Sequence, residues 1–166
     1  MAKQSAGLLV YRTGPDGLEL LLAHPGGPLF ARKDLGCWTV PKGEYEGGEE
    51  PLAAAVREFA EELGQMPPDG ERLDLGEVRQ ASGKRVRCYA VEGDLDTSAV
   101  LSNEFEMEWP PRSGEKGRFP EVDRAEWFPP GIARAKLNPA QAVFVDRLEA
   151  LLARDEPTKQ AGGQPR

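Results

Sequence analysis

Apolar runs separated by Gly and Pro divide the first third of the chain into short extended elements. Residues 6–12 and 18–23 are largely apolar, and the Gly-Pro-Asp-Gly sequence at 14–17 is typical of a tight turn. This pattern predicts a β-hairpin. Residues 37–40 are predicted to form a further short strand that ends at Pro41, followed by a Gly- and Glu-rich loop over 43–50.

A first helix is predicted over residues 51–63. Pro51 suits the first turn, where its missing N–H costs little, and Gly64 suits the helix end. At about 100° per residue the apolar side chains gather on one face and the carboxylates on the opposite side. The apolar face comprises Leu52, Val56, Phe59, Ala60 and Leu63, and the acidic side comprises Glu58, Glu61 and Glu62.

The second half of the chain alternates between strand and loop patterns before a second helix. Strands are predicted over 73–81, 86–91, 104–109 and around 125–128, with a loop rich in Pro, Gly and basic residues over 109–120. Apolar residues at helical spacing predict a helix over 139–153. Residues 156–166 are polar and aperiodic, which predicts a disordered tail after a single domain over 1–155.

Composition narrows the class of protein. A length of 166 residues with 39% apolar content suits one domain. The net charge of -7, from 28 acidic and 21 basic residues, argues against a stable nucleic-acid complex. Only Cys37 and Cys88 are present, which disfavours a disulfide scaffold and a thiolate zinc site. The apolar run at 8–11 is too short for a signal peptide or a membrane span, so we expect a cytoplasmic protein without membrane contact.

The acidic side of the first helix is a candidate metal site. Glu58 lies three and four residues before Glu61 and Glu62, so three like charges are neighbours and repel one another. A divalent cation would offset this repulsion, and hard oxygen ligands suit Mg²⁺, for which Mn²⁺ can substitute. The alternative is a solvated helix face without a ligand.

The surrounding residues resemble the Nudix box. Gly43, five residues, Glu49, seven residues and then the Arg-Glu-Phe-Ala-Glu-Glu-Leu-Gly sequence at 57–64 match its pattern. The match departs at Gln65, where the family usually has an aliphatic residue. The predicted order of strands and helices is also similar to a Nudix domain. The resemblance therefore implies an α/β fold (an α+β sandwich) in which a mixed β-sheet packs between helices.

The resemblance assigns metal and catalytic roles within the box. It implies that Glu61 and Glu62 bind metal ions, and that Glu58 joins them or acts as the general base for the attacking water. Gly43 resembles the glycine whose backbone lies beside the metals. Arg57 and Glu49 would together orient a catalytic carboxylate, and an ordinary exposed ion pair is the alternative.

Family members often add a metal ligand or a base from outside the box, and Glu121 is similar in placement to that residue. The acidic residues that compete with it are Glu104, Glu106, Glu108 and Glu115.

Substrate contacts are expected on both sides of the box. Lys42, in a lead-in that resembles many Nudix enzymes, is a candidate for phosphate contact, as is Arg112 in the basic loop 109–120. Trp109 is the candidate for stacking on a base, whereas Trp38 and Trp127 are expected in the core. His24 is interpreted as structural rather than catalytic.

The implied reaction is Mg²⁺-dependent hydrolysis of a pyrophosphate bond in a nucleoside diphosphate derivative, with a metal-activated water attacking phosphorus. Nucleoside triphosphates, dinucleoside polyphosphates and nucleotide sugars remain open as the small-molecule partner, and a homodimer is possible. The alternative is a nucleotide-binding regulatory module without turnover, although such modules usually lose the box glutamates. A structural or protein-interaction domain is a third reading.

Overall fold

The computed structural model describes residues 3–162, with side chains through residue 154. The strands are β1 Gln4–Gly14, β2 Gly17–Pro25, β3 Lys42–Glu44, β4 Leu73–Arg79, β5 Arg85–Glu92, β6 Glu104–Glu108, β7 Lys116–Pro120 and β8 Val122–Phe128. The helices are α1 Pro51–Leu63, α2 Pro130–Lys136 and α3 Ala142–Gly162, with 3₁₀ turns at Thr97–Ala99 and Pro139–Gln141. None of the helices within the described residues is long and apolar enough to cross a bilayer.

A mixed sheet with the order β4-β5-β1-β2-β8 organises the core, and β3 pairs with one end of β1. The central strand β1 runs parallel to β5 and antiparallel to β2. Its side chains are buried on both faces, since Leu9 packs in one apolar cluster with Phe144 of α3, while Leu8 packs in another with Phe59 of α1. A sheet covered on both faces needs continuous apolar strands, as in β1. This is the α/β architecture predicted from the sequence.

Local signals located two elements well. The predicted hairpin is β1 and β2, which pair up to Gly14 and Gly17 around a two-residue turn. Helix α1 has the predicted bounds, and Gly64 after it adopts a left-handed conformation with φ 71°. That conformation favours glycine because it has no Cβ.

The strand predicted at residues 37–40 is wrong. Within that segment Trp38 and Thr39 form only isolated bridges, to Leu137 and Ala23. The strand lies beyond Pro41 instead, where β3 pairs with Ser5–Gly7 of β1 in a segment predicted to be loop. Its polar Lys-Gly-Glu sequence carries no apolar signal because β3 pairs on one side only and borders a cavity.

The loop predicted over 109–120 is also wrong in part. Residues Lys116–Pro120 form β7, which pairs with β6 in a separate two-stranded sheet. Its basic residues face acidic ones across the ladder, because Arg118 bonds to Glu104 at 3.1 Å and Lys116 lies 3.6 Å from Glu106. Cross-strand charge pairs can thus support a strand without an apolar pattern.

Two differences concern the end of the chain. Helix α2 was not predicted, since its seven residues are too few to show a helical period. The backbone of α3 is helical through Gly162, which overlaps the tail predicted from residue 156. Extending an existing helix fixes few additional dihedrals per bond, so composition alone does not reveal its end. The rest of that predicted tail, residues 163–166, lies outside the described residues.

Candidate active site

The acidic residues of α1 do not all lie opposite its packed face, which corrects the sequence interpretation. The buried residues of α1 are Ala54, Ala55, Phe59 and Leu63. Glu58 follows the buried Ala54 by one helical turn, and Glu62 follows Glu58 by another. Both are partly buried at the border of this face, and of the three glutamates only Glu61 is exposed. The prediction failed because hydrophobicity placed Leu52, Val56 and Ala60 on the packed face. These three residues are only partly buried, whereas the smaller Ala54 and Ala55 are fully buried.

Strand β3 lies against these two carboxylates. The backbone N–H of Lys42 donates to Oε1 of Glu62 at 3.0 Å. A Cβ added to Gly43 would lie 1.6 Å from Oε1 of Glu58 and 2.0 Å from its carboxyl carbon. The carboxylate of Glu58 therefore occupies the space that any side chain at Gly43 would need.

Glu58 and Glu62 open into a cavity of about 330 Å³. Its lining comprises Ser5, Lys42, Gly43, Glu44, Glu58, Glu62, Lys84, Asn103 and Glu121. Glu121 reaches the cavity from the link between β7 and β8, where its N–H donates to the carbonyl of Asn103 at 2.9 Å and its carbonyl accepts from Gly26 at 3.0 Å. These backbone bonds hold the link beside α1, so four glutamates share one cavity: Glu44 from β3, Glu58 and Glu62 from α1, and Glu121 from the link.

Burial perturbs the charges in this cavity. It raises the pKa of Glu62 to about 7, because the Lys42 charge and N–H offset only part of the desolvation, while Glu121 and Glu58 add repulsion. Burial likewise raises the pKa of Glu58. It lowers the pKa of the Lys42 ammonium, which the nearby Lys84 lowers further. The site thus holds charge at a cost in desolvation and repulsion.

Arg57 ties the box carboxylates together from the outer side of α1. Its guanidinium makes two bonds of 2.9 Å to the carboxylate of Glu49. Its remaining nitrogen donates to Glu58 at 2.5 Å and to Glu61 at 3.3 Å. The hydrogen bond to Arg57 lowers the pKa of Glu49, and that to Glu49 raises the pKa of Arg57. A planar fork suits the bidentate contact with Glu49, and this contact leaves the third guanidinium nitrogen beside Glu58.

The lining residues fit a divalent cation with an anionic ligand. Oxygen donors from Glu58, Glu62 and Glu121 are the type that hard cations take. Ser5 is 1% exposed, and its Oγ has no hydrogen-bond partner although it borders the cavity. A buried hydroxyl without a partner is costly, so a polar ligand is the natural complement here. Within the described side chains no three His, Cys, Asp or Glu groups form a compact metal cluster, and a cation would be shared with waters and substrate oxygens, as Mg²⁺ commonly is.

Most of the chain matches the model of a known protein family. The model for the NUDIX domain matches residues 1–148, which is most of the chain. The chain belongs to the Nudix family.

Named relatives fall into two groups. The chain is 34% identical over 106 residues to an RNA pyrophosphohydrolase of Rhizobium meliloti, covering 55% of this chain and 58% of that protein. It is 32% identical over 118 residues to an asymmetrical bis(5'-nucleosyl)-tetraphosphatase of Sus scrofa, covering 64% and 76%. The match to a second RNA pyrophosphohydrolase, from Brucella anthropi, spans 56% of that protein. The chain therefore spans less than two thirds of the RNA pyrophosphohydrolases that it resembles.

Solved structures share the Nudix fold. The structure of a C. elegans Ap4A hydrolase superposes with a TM-score of 0.65 at 21% identity, covering 90% of this chain and 98% of that one. The NUDIX domain of Shewanella oneidensis NrtR superposes with a TM-score of 0.60 at 15% identity, covering 92% and 89%. At these identities the similarity shows the fold.

The structure brings together most of the site residues predicted from the sequence, both within the Nudix box and outside it. Lys42, Gly43, Glu58, Glu62 and Glu121 line the cavity. Glu61 is not among the residues that line the cavity; it is exposed and lies 3.3 Å from Arg57. The residues that competed with Glu121 lie on the β6–β7 hairpin: Glu104, Glu106 and Glu108 bond to Arg118, Lys116 and the Gly114 N–H, and Glu115 is exposed beside them.

Trp109 and Arg112 are placed differently from the sequence interpretation. Both lie at the tip of the β6–β7 hairpin, where Trp109 is 37% exposed and Arg112 has a φ of 63°. Neither lines the cavity between α1 and β3. Trp38 is buried as expected, and His24 is fully buried between Asp123 and the carbonyl of Lys33, with contacts of 2.8 and 2.7 Å. His24 therefore joins the loop after β2 to β8.

Four cavity residues of this Nudix domain were missed by the sequence interpretation: Ser5, Glu44, Lys84 and Asn103. Glu44 lies in β3, within a segment predicted to be loop. Ser5 is a small polar residue inside an otherwise apolar strand, which was the one signal that could have identified it. Lys84 and Asn103 come from a turn and a loop without a motif. Their placement follows from the register of β1 with β5 and from the bond between the Asn103 N–H and the carbonyl of Glu61.

Proposed function

We propose that this protein hydrolyses a pyrophosphate bond in a nucleotide derivative, with Mg²⁺ as the preferred cation and Mn²⁺ as a substitute. The observation that carries the proposal is the meeting of Glu58, Glu62 and Glu121 with Lys42 and the unpaired hydroxyl of Ser5 in one cavity. Carboxylates that repel one another, with the Lys42 ammonium beside them, suit a ligand made of divalent cations and phosphate oxygens.

Each residue has a chemical task in this proposal. Glu58, Glu61, Glu62 and Glu121 hold the cation, which would neutralise phosphate charge and lower the pKa of a bound water. The ammonium of Lys42 binds a phosphate oxygen. The Ser5 hydroxyl donates to another oxygen. Arg57, held by Glu49, keeps Glu58 aimed into the cavity, and the missing side chain of Gly43 leaves room for it.

Glu58 has two possible tasks, and they differ in what a substitution removes. If Glu58 is a metal ligand, Glu58→Gln should weaken cation binding, and high Mg²⁺ should restore the activity. As the general base, the same change would leave cation affinity nearly intact and remove the acidic limb of the pH profile. Titrating activity with Mg²⁺ for this variant separates the two.

The names of the relatives indicate a broad class of substrate. One relative is named for RNA pyrophosphates and another for dinucleoside tetraphosphates. Both names describe a nucleoside attached to a chain of phosphates, and we propose a small molecule of that chemistry for this protein. The acidic surface, with its net charge of -7, disfavours a long nucleic acid.

The test is a Mg²⁺-dependent hydrolysis screen over nucleoside triphosphates, dinucleoside tetraphosphates and nucleotide sugars. Glu62→Gln should reduce kcat by at least about 100-fold, in the range expected when a charged catalytic group is lost. Glu50→Gln is the matched control, because Glu50 precedes α1, is exposed and makes no side-chain cap bond. Hydrolysis that is equal in both variants would refute the site.

A regulatory module without turnover is the competing function. It predicts tight nucleotide binding without hydrolysis of any compound in the screen. The intact Glu58, Glu61 and Glu62 weigh against it, because binding alone would not require a repelling set of carboxylates.

A further inference from the structure

A second cavity, of about 470 Å³, adjoins the first. We call it the side cavity. Lys42, Glu62 and Glu121 line both, so the two cavities lie side by side with these three residues between them. The far wall of the side cavity differs in character, with Phe30 and Leu35 from the loop after β2 and the side-chain amides of Gln80 and Asn138.

The orientation of the Gln80 amide is set by a backbone donor through a relay. The N–H of Val40 donates to Oε1 of Gln141 at 2.9 Å, which requires the oxygen of that buried amide to face Val40. The nitrogen of Gln141 therefore faces Gln80 and donates to its Oε1 at 2.8 Å. With its oxygen engaged, Gln80 has only Nε2 left for the side cavity, and this nitrogen has no hydrogen-bond partner among residues 3–154.

Asn138 presents the same kind of group. Its Oδ1 accepts from the backbone N–H of Ala140 at 3.0 Å, in the 3₁₀ turn before α3. Its Nδ2 is left for the side cavity and likewise bonds to none of the side chains that the structure describes. Both amides thus have a backbone-determined orientation, direct for Asn138 and relayed for Gln80, and both offer donors rather than acceptors.

We propose that the side cavity binds the nucleobase of the substrate and selects a base whose exposed edge carries acceptors. This deepens the proposed function and rests on it, since the phosphates would then lie in the first cavity beyond Lys42. Guanine and hypoxanthine present O6 and N7 as neighbouring acceptors, whereas adenine presents N7 beside an amino donor. Two amide donors match the O6 and N7 edge of guanine and hypoxanthine. Against adenine, one of them would face the amino group, which is also a donor.

Phe30 supplies a contact with the nucleobase that does not distinguish one base from another. Its partly buried ring borders the side cavity, and the ammonium of Lys33 lies 5.4 Å from the ring centroid. Aromatic rings stack on any base because every base has a π face. Stacking on Phe30 therefore sets affinity, while Gln80 sets preference.

The first measurement is equilibrium binding of GMP, IMP and AMP by calorimetry in the presence of Mg²⁺. GMP and IMP should bind about tenfold or more tightly than AMP. IMP lacks the guanine amino group, so equal binding of IMP and GMP assigns the preference to the O6 and N7 edge. Equal binding of all three nucleotides would overturn the proposal.

Three variants then test the residues. Gln80→Glu keeps an oxygen for Gln141 and turns the cavity-facing donor into an acceptor, so the preference for GMP over AMP should be lost or reversed. Ser82→Asp adds the same charge on the exposed turn two residues away and should keep the preference. Phe30→Leu should weaken GMP and AMP to a similar extent. A Gln80→Glu protein that keeps the original preference would overturn the assignment.

Hydrolysis separates this proposal from the one on which it rests. If GTP, ITP and ATP are all hydrolysed with equal kcat/KM, the catalytic function stands and base selection fails. If none of the compounds in the screen is hydrolysed, the proposed function fails, and the nucleotide binding measurements alone decide whether the side cavity selects a base.

Discussion

Replacing Glu62 by Gln should stabilise the cation-free protein while removing its activity. The ordinary carboxyl pKa of 4.5 rises to about 7 in the folded protein, mainly through burial. At roughly 1.4 kcal/mol per pH unit, holding the charge on Glu62 at pH 8 costs about 3 kcal/mol of folding free energy. Glutamine avoids that cost and keeps an oxygen for the Lys42 N–H, which donates to it at 3.0 Å.

The sign of the pH dependence follows from the same pKa. Between about pH 4.5 and 7 the folded protein keeps a proton on Glu62 that the unfolded chain has released. The stability associated with the protonated group is therefore fully present below pH 4.5 and is lost as the pH rises through about 7. Glu62→Gln removes this dependence, so its advantage over the wild type should be small at pH 4.5 and large at pH 8.

Urea denaturation in EDTA at both pH values measures the effect. A gain of about 3 kcal/mol corresponds to a rise in Tm of roughly 6–12 °C for a chain of this length. Glu50→Gln, an exposed control, should leave the free energy of unfolding within about 0.5 kcal/mol of the wild type. A Glu62→Gln protein that is no more stable than the wild type at pH 8 would refute the reasoning from desolvation.

Three further predictions concern geometry around the site. Gly43→Ala should lower kcat about 100-fold, because the new Cβ would displace the Glu58 carboxylate, and steady-state kinetics with circular dichroism would separate this loss from misfolding. Gln141→Met should destabilise the protein by about 1–3 kcal/mol in urea denaturation, because it leaves the buried Val40 N–H without its acceptor. Arg57→Lys should lower kcat more than it raises KM, because an ammonium cannot reproduce the bidentate fork; a change in KM alone would instead assign Arg57 to substrate binding.

Local signals explain how much of the site could be predicted. The bounds of α1 depend on Pro51 and Gly64, whose conformational preferences act within one turn. The spacing of the box then specifies which carboxylates share a helix surface. Pairing between distant strands has no such signal. Lys84 is placed at the site by the pairing of β5 with β1, and β3 by its own pairing with β1, so neither could be predicted from local sequence.

The error in the helix faces has a physical cause that bears on function. Hydrophobicity predicts that the largest apolar side chains face the sheet, yet the small Ala54 and Ala55 are fully buried together with Phe59 and Leu63. Glu58 and Glu62 lie at the border of this buried face. Larger side chains at these positions would hold α1 farther from β3. Close packing by alanine therefore brings the carboxylates near Gly43, where they lose part of their hydration.

The contrast between Glu62 and Gln141 separates the two kinds of buried polar group in this fold. Gln141 has both its oxygen and its nitrogen bonded, so the folded state gains from it and its removal should destabilise the protein. Glu62 has the N–H and the ammonium of Lys42 against burial and two neighbouring carboxylates, so its charged form costs folding free energy that a cationic ligand would offset. Opposite signs of the stability change in the two variants would thus assign a structural role to one residue and a ligand-binding role to the other, without any knowledge of the substrate.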